Sequence, residues 1–277
     1  IRFLSTEAAP DPDQTAFWDH AAGLAGTALP AHLALVDASN RRRRTPIGEH
    51  DLFLATAWWT AQQAKYATRL TRTPRFVYLI QDYEPLLHAA STQQALASET
   101  YGLDHIPVVN SSLLLDYLVG QKVGRFKDPE FARAALMFEP ALDRSLFHPD
   151  PRERSGERRR LLFYARPQNG LRNLFELGVA SLQKALADGV FDPLEWEFIG
   201  MGEQFRPVRL QRGAVLKPAP WLDLHGYARQ MRGCDLLLSP MMSPHPSYPP
   251  LEMAASGGVV VTTSHANKDA RRLAALS

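Results

Sequence analysis

Only one cysteine, Cys234, occurs in the 277 residues. That excludes a disulfide framework and any zinc site built on thiolates, and it fits a reduced, cytosolic setting. Long apolar runs are missing as well. The longest, such as Phe76 to Ile80, are about five residues, far short of the ~20 a membrane helix needs. Neither sign of charge dominates: 31 Lys and Arg against 29 Asp and Glu leave +2. A balance that even argues neither for nor against nucleic acid and confines any basic site to a local patch. The sharpest charge run, Arg41 to Arg44, has no interleaved aromatics and reads as a solvated loop. Ile1 to Pro10 carries neither the basic region nor the apolar core of a signal peptide. No Walker motif, no Gly-x-Ser-x-Gly elbow and no histidine pair at zinc-ligand spacing is present. Gly200-x-Gly202 is not completed as a dinucleotide fingerprint, because Phe205 takes the third glycine's place.

What is there is ordinary globular composition, 45% apolar and 22% charged, at a length that suggests two domains of about 150 residues. Short apolar runs alternate with amphipathic stretches. Strands are expected at Asp51–Ala55, Phe76–Gln81, Ile106–Asn110 and Ala134–Phe138, with helices over Trp58–Leu70 and through Leu113, Leu114 and Leu118. The runs are apolar on successive residues, as in parallel strands covered on both faces. The charged, proline-bearing segment Pro149–Arg160 interrupts the pattern and reads as a linker. The alternation then resumes. Strands are expected at Leu161–Ala165, Trp196–Gly200, Ala214–Leu216, Asp235–Ser239 and Val259–Thr262. Helices are expected with Leu174, Leu177, Leu182 and Leu186 on one face, with Leu224, Tyr227, Ala228 and Met231, and near Leu251–Ala255. Such strand–helix–strand repetition predicts βαβ units. The chain opens on strand-like Ile1–Leu4 and stops at Ser277 where an open α/β half would continue, so it is expected to be incomplete at both ends.

In open α/β sheets ligands bind at the carboxyl ends of strands. The residues placed there are Arg166, Gly200 with Gly202, Lys217, and the run Ser243 to Glu252. An arginine, a lysine, two glycines and a helix N-terminus at one edge suit a diphosphate: the charges neutralise it and free N–H groups meet its oxygens. Arg172 and Asn173 open the next helix, and capping accounts for Asn173 as well as binding does. Asp82 and Glu84 form an Asp-x-Glu pair with no further ligand in reach by sequence. They read as a cleft-edge acid and a structural or acceptor-binding residue, with no metal. Of Trp58 and Trp59, at most one is expected to face a cleft. His245, between two prolines, is as suited to shaping its loop as to holding a ligand.

Several of these patches resemble GT-B glycosyltransferases of the family 4 type. Glu139 to Pro149, with its proline, aspartate and Phe-x-Pro, is similar to their inter-domain segment, and Leu224 to Gly258 to their nucleotide-sugar region. The likeness is closer to bacterial rhamnosyltransferases that elongate rhamnan-type surface glycans of the S-layer kind. It runs through Ala55-Thr56-Ala57-Trp58-Trp59-Thr60, Gln81-Asp82-Tyr83-Glu84-Pro85 and Ser243 to Ala255. There are departures. Family 4 enzymes carry two glutamates eight residues apart; Glu252 matches the second, and Pro244 stands at the first. Trp221 occupies the place of a lysine, with Lys217 nearby.

The resemblance implies two Rossmann-like α/β domains with parallel sheets facing across a cleft. Residues 1–149 would bind the acceptor and residues 150–277 a nucleoside-diphosphate sugar, by resemblance dTDP-L-rhamnose. Transfer would go to a growing bacterial polysaccharide. It also implies that Glu252 contacts sugar or ribose, and that Tyr248, Gly200, Gly202 and His245 line the donor site. Arg166, Lys217, Tyr248 and the helix N-terminus at Pro250 would stabilise the leaving diphosphate. Asp82 would activate the acceptor hydroxyl, beside acceptor contacts from Trp58, Trp59 and Glu84. No cofactor beyond the donor substrate and no nucleic acid is implied. The enzyme would be cytoplasmic, working at the inner membrane face on a lipid-linked acceptor. Two other classes remain open: a nucleotide-sugar epimerase on the same fold, and a non-catalytic module that binds glycan or a partner.

Overall fold

The computed structural model describes residues 1–40, 42–150, 152–154 and 156–276. Arg41 of the charge run, Pro151 and Ser155 of the linker, and Ser277 lie outside the described residues. The chain divides into two units, Ile1–Leu52 with Tyr66–Pro74, and Phe53–Lys65 with Arg75–Ser277.

In the first unit, strand β1 (Arg2–Ser5) pairs in parallel with β2 (Ala34–Asp37). The connecting helix Thr15–Ala25 ends on Gly26 at φ 63, the left-handed geometry in which glycine has no Cβ to clash. Phe3, Phe17 and Trp18 meet edge to face, with centroids 4.8 to 6.3 Å apart. The strand expected from Asp51 begins only at Leu54. Asp51 is held in a turn, where its carboxylate accepts from the Gly48 N–H at 2.9 Å and pairs with Arg2.

The second unit contains two separate sheets. β3 (Leu54–Ala55), β4 (Phe76–Ile80), β5 (His105–Asn110) and β6 (Leu136–Phe138) form a four-stranded parallel sheet in sequential order. The six-stranded sheet is built from β7 (Arg159–Ala165), β8 (Trp196–Gly202), β9 (Val208–Arg209), β10 (Val215–Pro218), β11 (Leu236–Ser239) and β12 (Val259–Thr262). Its order is β12-β11-β7-β8-β10-β9, parallel except for the short edge strand β9. The chain passes from one sheet to the other between Phe138 and Arg159. Along this crossing Phe147 is buried against Tyr227, with ring centroids 5.9 Å apart.

The successive apolar residues of β7 explain why this sheet is covered twice. Leu161 and Phe163 point to a core with Leu182, Leu186, Phe198 and Leu216. Leu162 points the other way, to Ala228, Met231, Leu237 and Met253. Helix Phe175–Ala187 covers the first face; helices Leu224–Arg232 and Tyr248–Ala255 contribute to the second. Cys234 is buried in the second core, and burial pushes its thiol up to about 11. One helical face differs from expectation. Leu182 and Leu186 are buried, but Leu177 is 52% exposed. A Cβ on Gly178 would come within 2.3 Å of the Phe163 ring. The helix presses so closely on β7 there that the contacting position is Gly178, and its neighbour Leu177 is turned outward.

Candidate functional site

At the carboxyl edge of the six-stranded sheet lies a cavity of about 300 Å³, at the small end of ligand pockets. Tyr164 of β7, Met201 and Gly202 of β8, Trp221, Tyr227, Tyr248 and Glu252 line it. Strand β7 turns at Ala165, and the helix Leu224–Arg232 starts on an Asp223 cap whose carboxylate accepts from the Gly226 N–H at 2.7 Å. The helix carrying Tyr248 and Glu252 starts two residues earlier than the prolines suggest, at Tyr248 itself. Glu252 is therefore in the second turn, so the helix dipole does not account for it. Its Oε2 accepts from the Tyr227 hydroxyl, and burial raises its carboxyl above the usual range. The Tyr248 hydroxyl accepts from Asn110 Nδ2 at 3.5 Å, which ties the end of β5 to this edge.

A second, more open cavity of about 510 Å³ is lined by Leu87, Arg166, Gln168, Asn169, Arg172 and Glu176, among others. Arg166 therefore lines a cavity beside that of Tyr248 and Glu252, not the same one. Its guanidinium lies 5.9 Å from the Tyr164 ring and its Cγ packs on Gly202, so it stands on the wall between the two. Nor is it free: its Nε pairs with Glu203 Oε1 at 3.1 Å. Glu203 also accepts from the Gln168 N–H at 2.8 Å and from Asn169, which fixes the loop after β7.

The glycines divide by role. Gly202, at φ +124, lines the first cavity; a Cβ would meet Arg166, Ala165 and Tyr164 at 2.9 to 3.2 Å. Gly200 is a packing residue instead, because a Cβ there would lie 2.3 Å from the Phe205 ring. The aromatic that breaks the dinucleotide fingerprint is thus the reason the first glycine is required. Lys217 is exposed on β10 and lines neither cavity. Asn173 ends a one-turn helix, Gly170–Asn173, and is 1% exposed, so it caps nothing at a helix start.

Between the two sheets, in the second unit, buried polar groups meet. Asp82, 5% exposed, follows β4. Its Oδ1 accepts from the Ser243 hydroxyl and from the Tyr83 N–H at 2.8 Å. Its Oδ2 stands 2.8 Å from Arg172 Nη2, close in space but poorly aligned for a hydrogen bond. His245 is buried, and its Nδ1 accepts from the Ser247 N–H at 3.0 Å, so the ring proton belongs on Nε2. Burial pushes His245 down to about 4, leaving it neutral at pH 7. Its Nε2 finds no partner among the described residues. Lys268 is also buried, donates to the Met241 carbonyl at 3.3 Å, and is pushed down by burial to about 8.

On the four-stranded side, Trp58, Trp59 and Glu84 lie near one another, and none of them lines either cavity. The indoles meet edge to face at 5.8 Å, and Trp58 packs on His88 at 5.7 Å. Glu84 accepts from the Tyr78 hydroxyl at 3.0 Å, and burial pushes its carboxyl up to about 7. Asp82 and Glu84 are each engaged by other side chains, and no group of three metal-ligating residues forms among the described residues. Sequence reasoning missed Tyr164, Tyr227, Trp221 as a lining residue, and Lys268; it placed Ser243 at a strand end but not its bond to Asp82. Tyr164 had a signal, since it lies beside Arg166 at a strand end; Lys268 had none.

Residues 1–112 match the family model described as WsaF, N-terminal domain, and residues 159–277 match WsaF, C-terminal domain. The chain is similar to the O-antigen biosynthesis protein RfbC of Myxococcus xanthus, 37% identical over 218 residues, or 78% of this chain. It spans 16% of that relative's length. Two crystal structures of Alr3699/HepE from Anabaena share its architecture. One is in complex with UDP-glucose (TM-score 0.58) and one with UDP and glucose (TM-score 0.61). Each is 16% identical, and the match covers 95% of this chain and 79% and 80% of those chains. The fold is GT-B, with α/β halves built on parallel sheets. No helix among the described residues is long and apolar enough to cross a membrane.

Proposed function

We propose that the chain is a glycosyltransferase of polysaccharide assembly that takes its sugar from a nucleoside-diphosphate donor. The observation that carries this reading is the first cavity: a slot lined by tyrosines and Glu252 at strand ends, adjoining an arginine-bearing cavity. The slot suits a nucleoside, with Glu252 accepting from ribose through the oxygen that Tyr227 leaves open. The wall between the cavities, with Arg166, Tyr248 and the start of the Tyr248–Ala255 helix, suits a diphosphate. Arg172 lies on its far side. The O-antigen relative and the matched domain models support polysaccharide assembly. The finer assignment, L-rhamnose from dTDP-L-rhamnose, rests on the motifs around Trp58, Asp82 and Ser243.

As the diphosphate leaves, negative charge grows on it, and preorganised cations and N–H donors favour that state over the bound donor. Residues 1–149 supply the acceptor surface at Trp58, Trp59 and Glu84, and residues 150–277 the donor site. Asp82, held by Ser243 and beside Arg172, acts in this reading at the reacting end, and Glu84, whose carboxyl burial raises to about 7, is a second candidate base for the acceptor hydroxyl. With Asp82 and Glu84 engaged by side chains, transfer is expected to proceed without a divalent metal.

The test is incubation with labelled UDP- and dTDP-sugars, with and without glycan acceptor, in buffer and in EDTA. Transfer only with acceptor, undiminished in EDTA, is the expected result. Conversion of the donor without acceptor would mean an epimerase-type activity, and binding without turnover a non-catalytic module. Loss in EDTA would transfer the charge stabilisation from the arginines to a metal.

A further inference from the structure

Trp221 is 87% exposed, more than any other large apolar side chain described. A single exposed apolar side chain is ordinary on a protein surface; what marks this indole is a fixed backbone on the rim of a cavity that three tyrosines also line. Four features make that backbone rigid. The Ala219 N–H donates to the Gly200 carbonyl at 2.7 Å, and Gln204 Nε2 donates to the Ala219 carbonyl at 2.8 Å. Asp223 caps the following helix. Pro220 limits the backbone between these anchors. Ala219 is buried and Leu222 packs on the same core, so the short connection leaves Trp221 facing outward on the rim of the first cavity. No other ring pairs with it among the described residues, although Tyr164, Tyr227 and Tyr248 line the same cavity.

We propose that Trp221 is the nucleobase platform of this cavity: its indole stacks on the base of the nucleoside diphosphate, while Glu252 takes the ribose. The inference rests on the nucleotide-sugar reading and adds to it the residue that holds the base. An aromatic face accepts any base, so Trp221 supplies affinity rather than a choice between bases.

Base–aromatic stacking is worth ~1–3 kcal/mol by truncation, which converts to roughly 5- to 150-fold in Kd. The experiment titrates wild type, Trp221→Phe and Trp221→Ala with UDP, dTDP, ADP and pyrophosphate. It follows calorimetry and intrinsic fluorescence together; the chain has five tryptophans, so removing one leaves a reference signal. Because the side chain is exposed, both variants are expected to melt with wild type. UDP and dTDP should quench wild-type emission. Trp221→Phe should bind within about threefold of wild type yet lose most of the quench. Trp221→Ala should lose roughly 5- to 150-fold for UDP and dTDP and nothing for pyrophosphate. Unchanged binding of all three nucleotides by Trp221→Ala, or an undiminished quench in Trp221→Phe, overturns the proposal while the donor reading stands. If wild type binds none of the nucleotides by calorimetry, the donor reading falls with it.

Discussion

Arg172→Ala is expected to lower the transfer rate by about 10²–10³ and to destabilise the fold by about 3 kcal/mol. The two effects have different origins. Arg172 lines the second cavity; on the proposed reading it would meet the leaving diphosphate as charge develops, and its loss would be felt mainly in kcat. It is also the cation beside Asp82, whose side chain is 6% exposed against 29% for Arg172. Removing the arginine leaves a buried carboxylate bonded to a hydroxyl and an N–H, with the buried Lys268 as its remaining cationic neighbour, and a buried charge that loses its direct ion-pair partner is costly. A melting temperature lower by about 6–12 °C is the corresponding shift for a chain of this size. The double variant Asp82→Ala/Arg172→Ala should recover much of the stability and none of the transfer. Equal loss in the double and single variants would show that the pair is not coupled, and unchanged transfer in Arg172→Ala would remove it from the mechanism.

Acidification is expected to weaken the fold, by an amount that single variants tune in opposite directions. His105 and His245 are both pushed down from 6.5 to about 4, in each case mainly by burial. Between those values the unfolded chain binds protons that the folded chain refuses, so stability falls as pH drops from 6.5 toward 4. Each histidine accounts for roughly 3 kcal/mol. Glu84 works against them. Its carboxyl rises from 4.5 to about 7 on burial, so the folded chain binds the extra proton and stability is regained as pH falls through that range. Glu252, raised by burial, acts in the same sense. His265, lowered by burial, adds to the loss, and with two histidines of large shift against Glu84 the expected net direction is a loss of stability on acidification. Chemical unfolding across that pH range should show a flatter profile in His245→Gln and a steeper one in Glu84→Gln. Parallel profiles in all three proteins would mean that these groups do not set the pH dependence.

How much of the fold and site is legible in the sequence follows from what each signal depends on. Strands with apolar residues on both faces, such as Leu161 to Ala165, announce themselves, because burial on two sides leaves no polar position. The strand ends of the second half are legible for the same reason, and with them the positions of Tyr248 and Glu252. Gly200 and Lys217 look like donor contacts by spacing alone, because spacing does not show direction. Gly200 faces Phe205, and Lys217 lies on the exposed side of β10. Arg166 is legible at its strand end, but its partner Glu203 lies 37 residues along the chain and no local pattern links them. The union of Asp82 with Ser243 spans 161 residues and depends on how two sheets meet, which periodicity does not encode.

On the proposed reading the first cavity receives the nucleoside of a sugar donor, with its phosphates turned toward Arg166, Tyr248 and Arg172. A crystal structure of the chain with dTDP or UDP bound tests it most directly. The account predicts the base against Trp221, the ribose hydroxyls on Glu252, and the diphosphate over the start of the Tyr248–Ala255 helix. A nucleotide found at the strand ends of the four-stranded sheet, or with its base directed to Arg166 and Arg172, would contradict it.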